Sequence, residues 1–257
     1  MHPVEGAILF LAALAAGAIN SVAGGGSFIS FPSLLFIGIP PVNANATSTV
    51  ALWPGQPASV WAYRHEMQGI SRRTLIPLTI TGIIGGIAGA WVLLITPQMT
   101  FLHLVPWLLL AATLIFTASG RITRWLGQRH SQPHAAFTSV HGILLQLVLA
   151  FYLGYFGAGA GILMLAMLAL LGMDNIHTMN ALKAWLTTVS NGVAMLLFIY
   201  HRAVYWPEAV VMVIGSVLGG YFGAFFAQKT KPRHVRAIVI AVGFGMTAYF
   251  FARQIWR

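Results

Sequence analysis

Long apolar runs separated by short basic gaps constrain this chain more than any other feature. Eight stretches approach the roughly 20 residues that cross a bilayer as helix. They are Gly6 to Val22, Val42 to Tyr63, Thr74 to Ile95, Phe101 to Ala118, Phe137 to Phe156, Ile176 to Tyr200, Pro207 to Ala227 and Val235 to Ala252. Of the residues, 58% are hydrophobic and 7% are charged, whereas a soluble domain devotes about a quarter to charge. A water-facing fold is excluded, and the expected partner of the surface is the lipid bilayer. The net charge of +10 would suit nucleic acid if the cations formed a patch, but they sit in the gaps between apolar runs, so no nucleic-acid partner is expected. The chain has no cysteine, hence no disulfide framework, thiol nucleophile or Cys-based metal centre. No cofactor or metal is implied.

Two further apolar runs, Phe28 to Gly38 and Ile162 to Gly172, hold 11 residues each. As helix they reach about 16 Å, against a hydrocarbon core of about 30 Å. Each follows a glycine cluster, AGGGS (Ala23 to Ser27) and GAGAG (Gly157 to Gly161). The first and fifth spans are therefore expected to break there and return as short re-entrant helices. Such breaks survive in lipid only where protein or a wet cavity satisfies the freed backbone. Arg64, Arg72 and Arg73, then Arg121, Arg124 and Arg129, then Lys229, Lys231, Arg233 and Arg236 mark three loops as cytoplasmic. This places the N-terminus outside. Arg202, Arg253 and Arg257 fall on the outer side and count against that topology. The leading residues hold Glu5 and no Lys or Arg, so a cleavable signal is not expected.

The chain reads as a duplication. A shift of 135 lays Gly24 on Gly159, Gly26 on Gly161, Asn45 on Asn180 and Ala46 on Ala181, and a shift of 134 lays GGIAGA (Gly85 to Ala90) on GGYFGA (Gly219 to Ala224). The expected fold is an all-α polytopic membrane protein of about eight spans plus two re-entrant helices, in two inverted repeats. Residues 1–118 form the first membrane repeat, 119–136 a basic cytoplasmic loop, and 137–257 the second repeat. Secondary transporters built this way bind substrate near the midplane, framed by broken helices.

Polar residues inside the spans define the candidate site. The amides of Gly24, Gly25 and Gly26, with Ser27 able to cap the helix that follows, offer a positive helix N-terminus to an oxyanion. Gly159 and Gly161 do the same in the second half. These glycines would also serve a tight hairpin and close helix contact. The second span presents Asn45, Ser48, Gln56 and Ser59 at helical spacing, and the sixth presents Asn180, Lys183, Thr187 and Asn191. The shift of 135 sets Ser48 on Lys183 and Gln56 on Asn191. A polar stripe facing lipid is costly, so both stripes are expected to face each other or a shared cavity, or else to act as interhelical glue. Lys183 lies about 10 Å of helix into its span, as a substrate counter-charge or a side chain snorkelling to the interface. The acids Glu5, Glu66, Asp174 and Glu208 sit at ends or in loops, which favours an anionic substrate. Pro54 and Pro57 are expected to kink the second span.

INSVAGGGSFISFPSLLFIGIPPVNANATS (Ile19 to Ser48) resembles the hallmark first repeat of the TauE/SafE sulfite exporter family. GAGAGILMLAMLALLGMDNIHTMNALK (Gly157 to Lys183) resembles its second, and the resemblance covers essentially the whole chain. It implies a bacterial inner-membrane permease for small sulfur-containing anions such as sulfite or sulfoacetate. The family's Gly-rich turn corresponds to Gly24, Gly25 and Gly26, and its Asn-Ala-Thr element to Asn45, Ala46 and Thr47. Where the first repeat has Asn-Ala-Thr-Ser, the second has Met-Asn-Ala-Leu-Lys. The expected function is export of such an anion by alternating access, with no catalysis and with room for a homodimer. Two other readings stand beside it. One is an intramembrane hydrolase with Ser27 as nucleophile and His141 as base, and the other is a membrane scaffold with no transport path.

Overall fold

The structure, a computed structural model, describes residues 2–126, 139–173, 175–227 and 232–255. Arg129, Lys229, Lys231, Arg257 and Asp174 lie outside them. The described residues form twelve helices and no strand. Helix α1 (Pro3–Ala23) starts with proline in its first turn and stops at Gly24 (φ 71°), whose N–H donates to the Asn20 carbonyl at 3.1 Å. This left-handed conformation is one that a side chain would resist. The chain restarts at once as α2 (Ser27–Phe36).

The expected second span divides at Trp53 and Pro54 into α3 (Pro41–Leu52) and α4 (Gly55–Ala62), followed by a short α5 (Arg64–Gln68). Proline has no N–H to continue the ladder, and the Gln56 N–H folds back onto the Trp53 carbonyl at 2.8 Å. Ser71 then caps α6 (Arg72–Ile95), its side chain accepting from the Arg73 N–H. Helix α7 (Gln98–Leu126) runs through Arg121 and Arg124, so part of the expected basic loop is helical.

The second half repeats this order. Helix α8 (Val140–Tyr155) is capped by Ser139 and ends before the second glycine cluster. Helix α9 (Ala160–Leu170) follows, with Gly159 (φ 70°) at its N-cap. Asn175 caps α10 (Ile176–Tyr200), which runs unbroken where its counterpart is split. Helices α11 (Trp206–Ala227) and α12 (Pro232–Ile255) complete the set.

Helix α1 lies along α11 and α6 along α8, both at backbone contact distance. The GGIAGA glycines make the second seam. A Cβ on Gly85 would stand 2.6 Å from that of Ala150, and one on Gly89 would strike the Phe151 carbonyl. In the first seam a Cβ on Gly219 would strike the Leu14 carbonyl, and one on Gly17 the Ser216 carbonyl. Two further sets of pairings recur with the halves exchanged: α2 with α12 and α9 with α7, then α3 with α11 and α10 with α6. Phe31 of α2 packs edge-on against Phe101 and Phe156 at 6.1 and 5.5 Å, which buries the first short helix between the halves.

The outer faces are apolar. Ile76, Ile80, Ile84, Ile87, Trp91 and Ile95 form one exposed stripe along α6, and Val140, Leu144 and Val148 form another along α8. A surface of this kind is solvated by lipid rather than by water. Four described helices are long and apolar enough to cross a bilayer, starting at Pro3, Arg72, Gln98 and Ile176, with shorter apolar helices between them. By that measure the Val42 to Tyr63 stretch is not a single span, because Pro54 divides it.

Candidate functional site

The two helix breaks touch. A Cβ on Gly24 would lie 3.2 Å from the Gly161 Cα, and one on Gly161 would lie 3.3 Å from the Gly24 Cα. Only glycine at both positions lets the two backbones approach this closely. Around the crossing Gly25, Gly26 and Gly159 are buried. A Cβ on Gly26 would stand 2.6 Å from the Ala16 carbonyl oxygen, while one on Gly159 would meet the Phe28 ring at 3.3 Å. The structure corrects the expected role of Ser27. Gly26 occupies the N-cap of α2 and no side chain caps the helix, so Ser27 is its first residue. Gly26 is already helical (φ −57°, ψ −33°), and the Phe28 and Ile29 N–H groups bond the Gly25 and Gly26 carbonyls without help from a hydroxyl.

Lys183 reaches the same crossing. Its Cδ would lie 3.7 Å from a Cβ on Gly161. Its Nζ donates to Asn180 Oδ1 at 2.9 Å, and the Asn180 amide donates to the Ile176 carbonyl at 2.9 Å. Helical side chains lean toward the N-terminus, so an asparagine three residues earlier is well placed to hold the ammonium. Thr187, buried one turn on, donates to the Lys183 carbonyl at 2.8 Å.

The first-half residues brace the two breaks. Asn45 is buried, and its amide donates to the carbonyl of Tyr155, the last residue of α8, at 3.1 Å. That carbonyl belongs to the helix end that the glycine break leaves without an intrahelical donor. Ser48 Oγ lies 2.6 Å from Ser30 Oγ on α2. Thr47, also buried, accepts from the Tyr205 N–H at 3.0 Å, at the approach to α11. Asn45 and Ser48 thus attach α3 to the broken segments of both halves, while Thr47 faces elsewhere.

The two polar stripes meet further along. Asn191 Nδ2 donates to Gln56 Oε1 at 3.3 Å, and Trp53 Nε1 donates to the Thr188 carbonyl at 3.0 Å. Each bond joins residues 135 apart in sequence. Ser59 turns back to the Gly55 carbonyl at 3.1 Å. Beyond Thr188 a cleft of about 330 Å³ opens between α4, α5 and α10, lined by Pro57, Val60, Trp61, Arg64, Met67 and Trp185. The Arg64 guanidinium lies 5.0 Å above the Trp61 ring there.

Three contributors have no counterpart in the sequence reading. Tyr152 Oη donates across the second break to the Ala158 carbonyl at 2.6 Å. Ser30 is the partner of Ser48. Gln146 is a wholly buried amide on α8. An isolated polar residue in an apolar helix is the available signal for the last, and Gln146 is one. His141 stands exposed in the first turn of α8. Ser27 adjoins Phe28, which touches Gly159 beyond the far end of that helix. The length of α8, 16 residues or roughly 24 Å at about 1.5 Å per residue, therefore separates the two members of the suggested dyad.

An all-helical bundle with apolar outer faces and paired, touching helix breaks belongs to the class of multi-pass membrane transporters. The Sulfite exporter TauE/SafE family model matches residues 9–250, and the chain belongs to this family. Among its curated relatives, a probable membrane transporter protein of Haemophilus influenzae is 30% identical over 97% of this chain and 96% of that protein. The probable membrane transporter protein YfcA of Escherichia coli K12 is 28% identical over 96% and 90%. The probable membrane transporter protein ORF9 of a Sinorhizobium species is 27% identical over 96% and 92%. No solved structure matches the chain.

Proposed function

We propose that this transporter exports a small sulfur-containing anion, sulfite, sulfoacetate or a related organosulfur oxyanion, across a bacterial inner membrane by alternating access. The observation that carries the proposal is the contact of Gly24 with Gly161 beside the Lys183 side chain. Backbone amides at two interrupted helices and one ammonium give an oxyanion both hydrogen bonds and a counter-charge. Asn45, Asn180 and Thr187 lie around that place, and the Gln56–Asn191 bond joins the two stripes further along.

In this reading the halves are inverted repeats of four spans and one re-entrant helix each, with the divided α3–α4 pair crossing as one kinked segment and the N-terminus outside. The exchanged helix pairings support a two-fold relation between them. So do the two hydrogen bonds between residues 135 apart, since self-paired positions lie on the axis relating two copies. Rocking of one half against the other would expose the crossing to each side in turn.

Sulfite efflux from proteoliposomes containing the purified protein tests the substrate. Flux above protein-free vesicles is expected, and Lys183→Met should reduce it at least tenfold. Equal flux with and without protein across sulfite, sulfoacetate and other sulfonates would sink the proposal. The chain has no native cysteine, so single cysteines at Gly69 and Arg202 can be labelled cleanly. The proposed topology expects cytoplasmic labelling at 69 and external labelling at 202.

A further inference from the structure

Away from the glycine crossing, two helices bring uncompensated polar groups to one point on a third. Gln146 on α8 and Ser190 on α10 are both 0% exposed. Neither amide atom of Gln146, nor Ser190 Oγ, has a hydrogen-bond partner among the described residues. Leaving such groups bare is costly in a protein interior, and more so in a membrane. Both converge on the bare face of Gly82 on α6, where a Cβ would lie 3.1 Å from Ser190 Oγ and 3.5 Å from Gln146 Nε2.

We propose that Gly82, Gln146 and Ser190 form a binding site for one internal water that joins α6, α8 and α10. The donor set selects the ligand. Gln146 presents a donor-only nitrogen and an acceptor-only oxygen, and Ser190 a hydroxyl able to play either role. Water gives two hydrogen bonds and takes two, which matches the mixture, and buried waters commonly satisfy about three such groups. An anion would face the amide oxygen, and a cation the amide nitrogen.

The other half of the molecule supports the assignment. A shift of 134 sets Gly82 on Ser216, whose buried hydroxyl donates to the Ala51 carbonyl at 2.7 Å. There the chain itself supplies a hydroxyl at this level of the bundle. In the half that carries Gly82, the same level offers a side-chain-free surface beneath two polar groups. The site sits where all three helices are closely packed: Gly85 and Gly89 of α6 lie against α8, and a Cβ on Gly86 would stand 2.6 Å from the Ser190 carbonyl oxygen of α10.

The test does not depend on transport or on the identity of the substrate. In an electron cryomicroscopy map of the purified protein at water-resolving resolution, a peak is expected within hydrogen-bond distance of Gln146 and Ser190. Gly82→Ser should remove the peak and hold the melting temperature within about 2 °C of the parent, because its hydroxyl takes the water's place. Gly82→Ala, which covers both groups with a methyl, should lower the melting temperature by about 2–6 °C. Gln146→Leu and Ser190→Ala should be non-additive, the combined loss being smaller than the two separate losses together. The proposal is overturned by a map without the peak, by Gly82→Ala melting at or above the parent, or by additive losses. It is equally overturned by a sulfite-dependent rise in melting temperature that Gln146→Leu abolishes, since the ligand would then be the anion.

Discussion

The second long segment of each half carries the same polar stripe and puts it to different use. In the first half Pro54 splits the segment, and Asn45 and Ser48 of α3 are buried in bonds to Tyr155 and Ser30. In the second half α10 is continuous, and the positions matched to those two hold Asn180 and Lys183, half-buried and bonded to each other. The spacing is the same in both. What the two segments share is a turn of polar side chains next to a glycine break. What separates them is burial: the neutral groups are sealed in as braces, while the cation is only half-buried. A lysine at the Ser48 position would be buried against α2, where its desolvation would be severe.

The largest effect should come from disturbing the crossing itself, and it should differ between the two breaks. Gly24→Ala sets a Cβ 3.2 Å from the Gly161 backbone at a positive φ, so the backbone must move. Gly159→Ala carries a similar φ, but its Cβ meets the Phe28 ring, which can rotate away. Gly24→Ala is expected to lower sulfite flux more than tenfold and to reduce folded yield on size-exclusion chromatography, with Gly159→Ala closer to the parent in both. Equal damage at the two sites would mean that the left-handed backbone, and not the contact between halves, dominates.

Next in size is the contrast between the cation and its matched serine. Lys183→Met should lower flux at least tenfold with little change in melting temperature. Ser48→Ala should keep most of the flux but lose the Ser30 bond, a cost of about 1 kcal/mol, read as a shift of a few degrees. The opposite pattern, a tolerant Lys183 and a transport-critical Ser48, would reverse the assignment of roles.

How much of this was legible beforehand depended on the kind of signal. Both helix breaks and both short helices follow from local chemistry, because glycine clusters and apolar length report on backbone conformation directly. Lys183 stood out because a charge in an apolar run is rare. The partners of the stripe residues could not be read, because they depend on which helix arrives opposite. Nothing near Asn45 in sequence points to Tyr155, and nothing near Ser48 points to Ser30. The Ser27 side chain suits a cap, but the backbone of Gly26 already provides the first helical turn. Gln146 has no polar counterpart in the first half, where the shift of 135 lands on Leu11, so the repeat pattern does not single it out.

Asn45→Ala separates bracing from binding. The change leaves the Tyr155 carbonyl buried at a helix end without its side-chain donor, a loss of about 1–3 kcal/mol. If Asn45 acts as a brace, the melting temperature falls while the KM for sulfite stays within about twofold of the parent. If it contacts substrate, KM rises and stability follows only weakly.

The smallest effect is expected where the two halves meet themselves. Gln56 and Asn191 are both half-buried, and their bond is long at 3.3 Å. Asn191→Ala should cost under about 1 kcal/mol. Its value lies in the pairing: Gln56→Ala should give the same change, and the double variant no more than either single one, because both remove one shared bond. Independent, additive losses would mean that each residue has another partner during transport. The matched position would then be a point on the substrate path and not a static join between the halves.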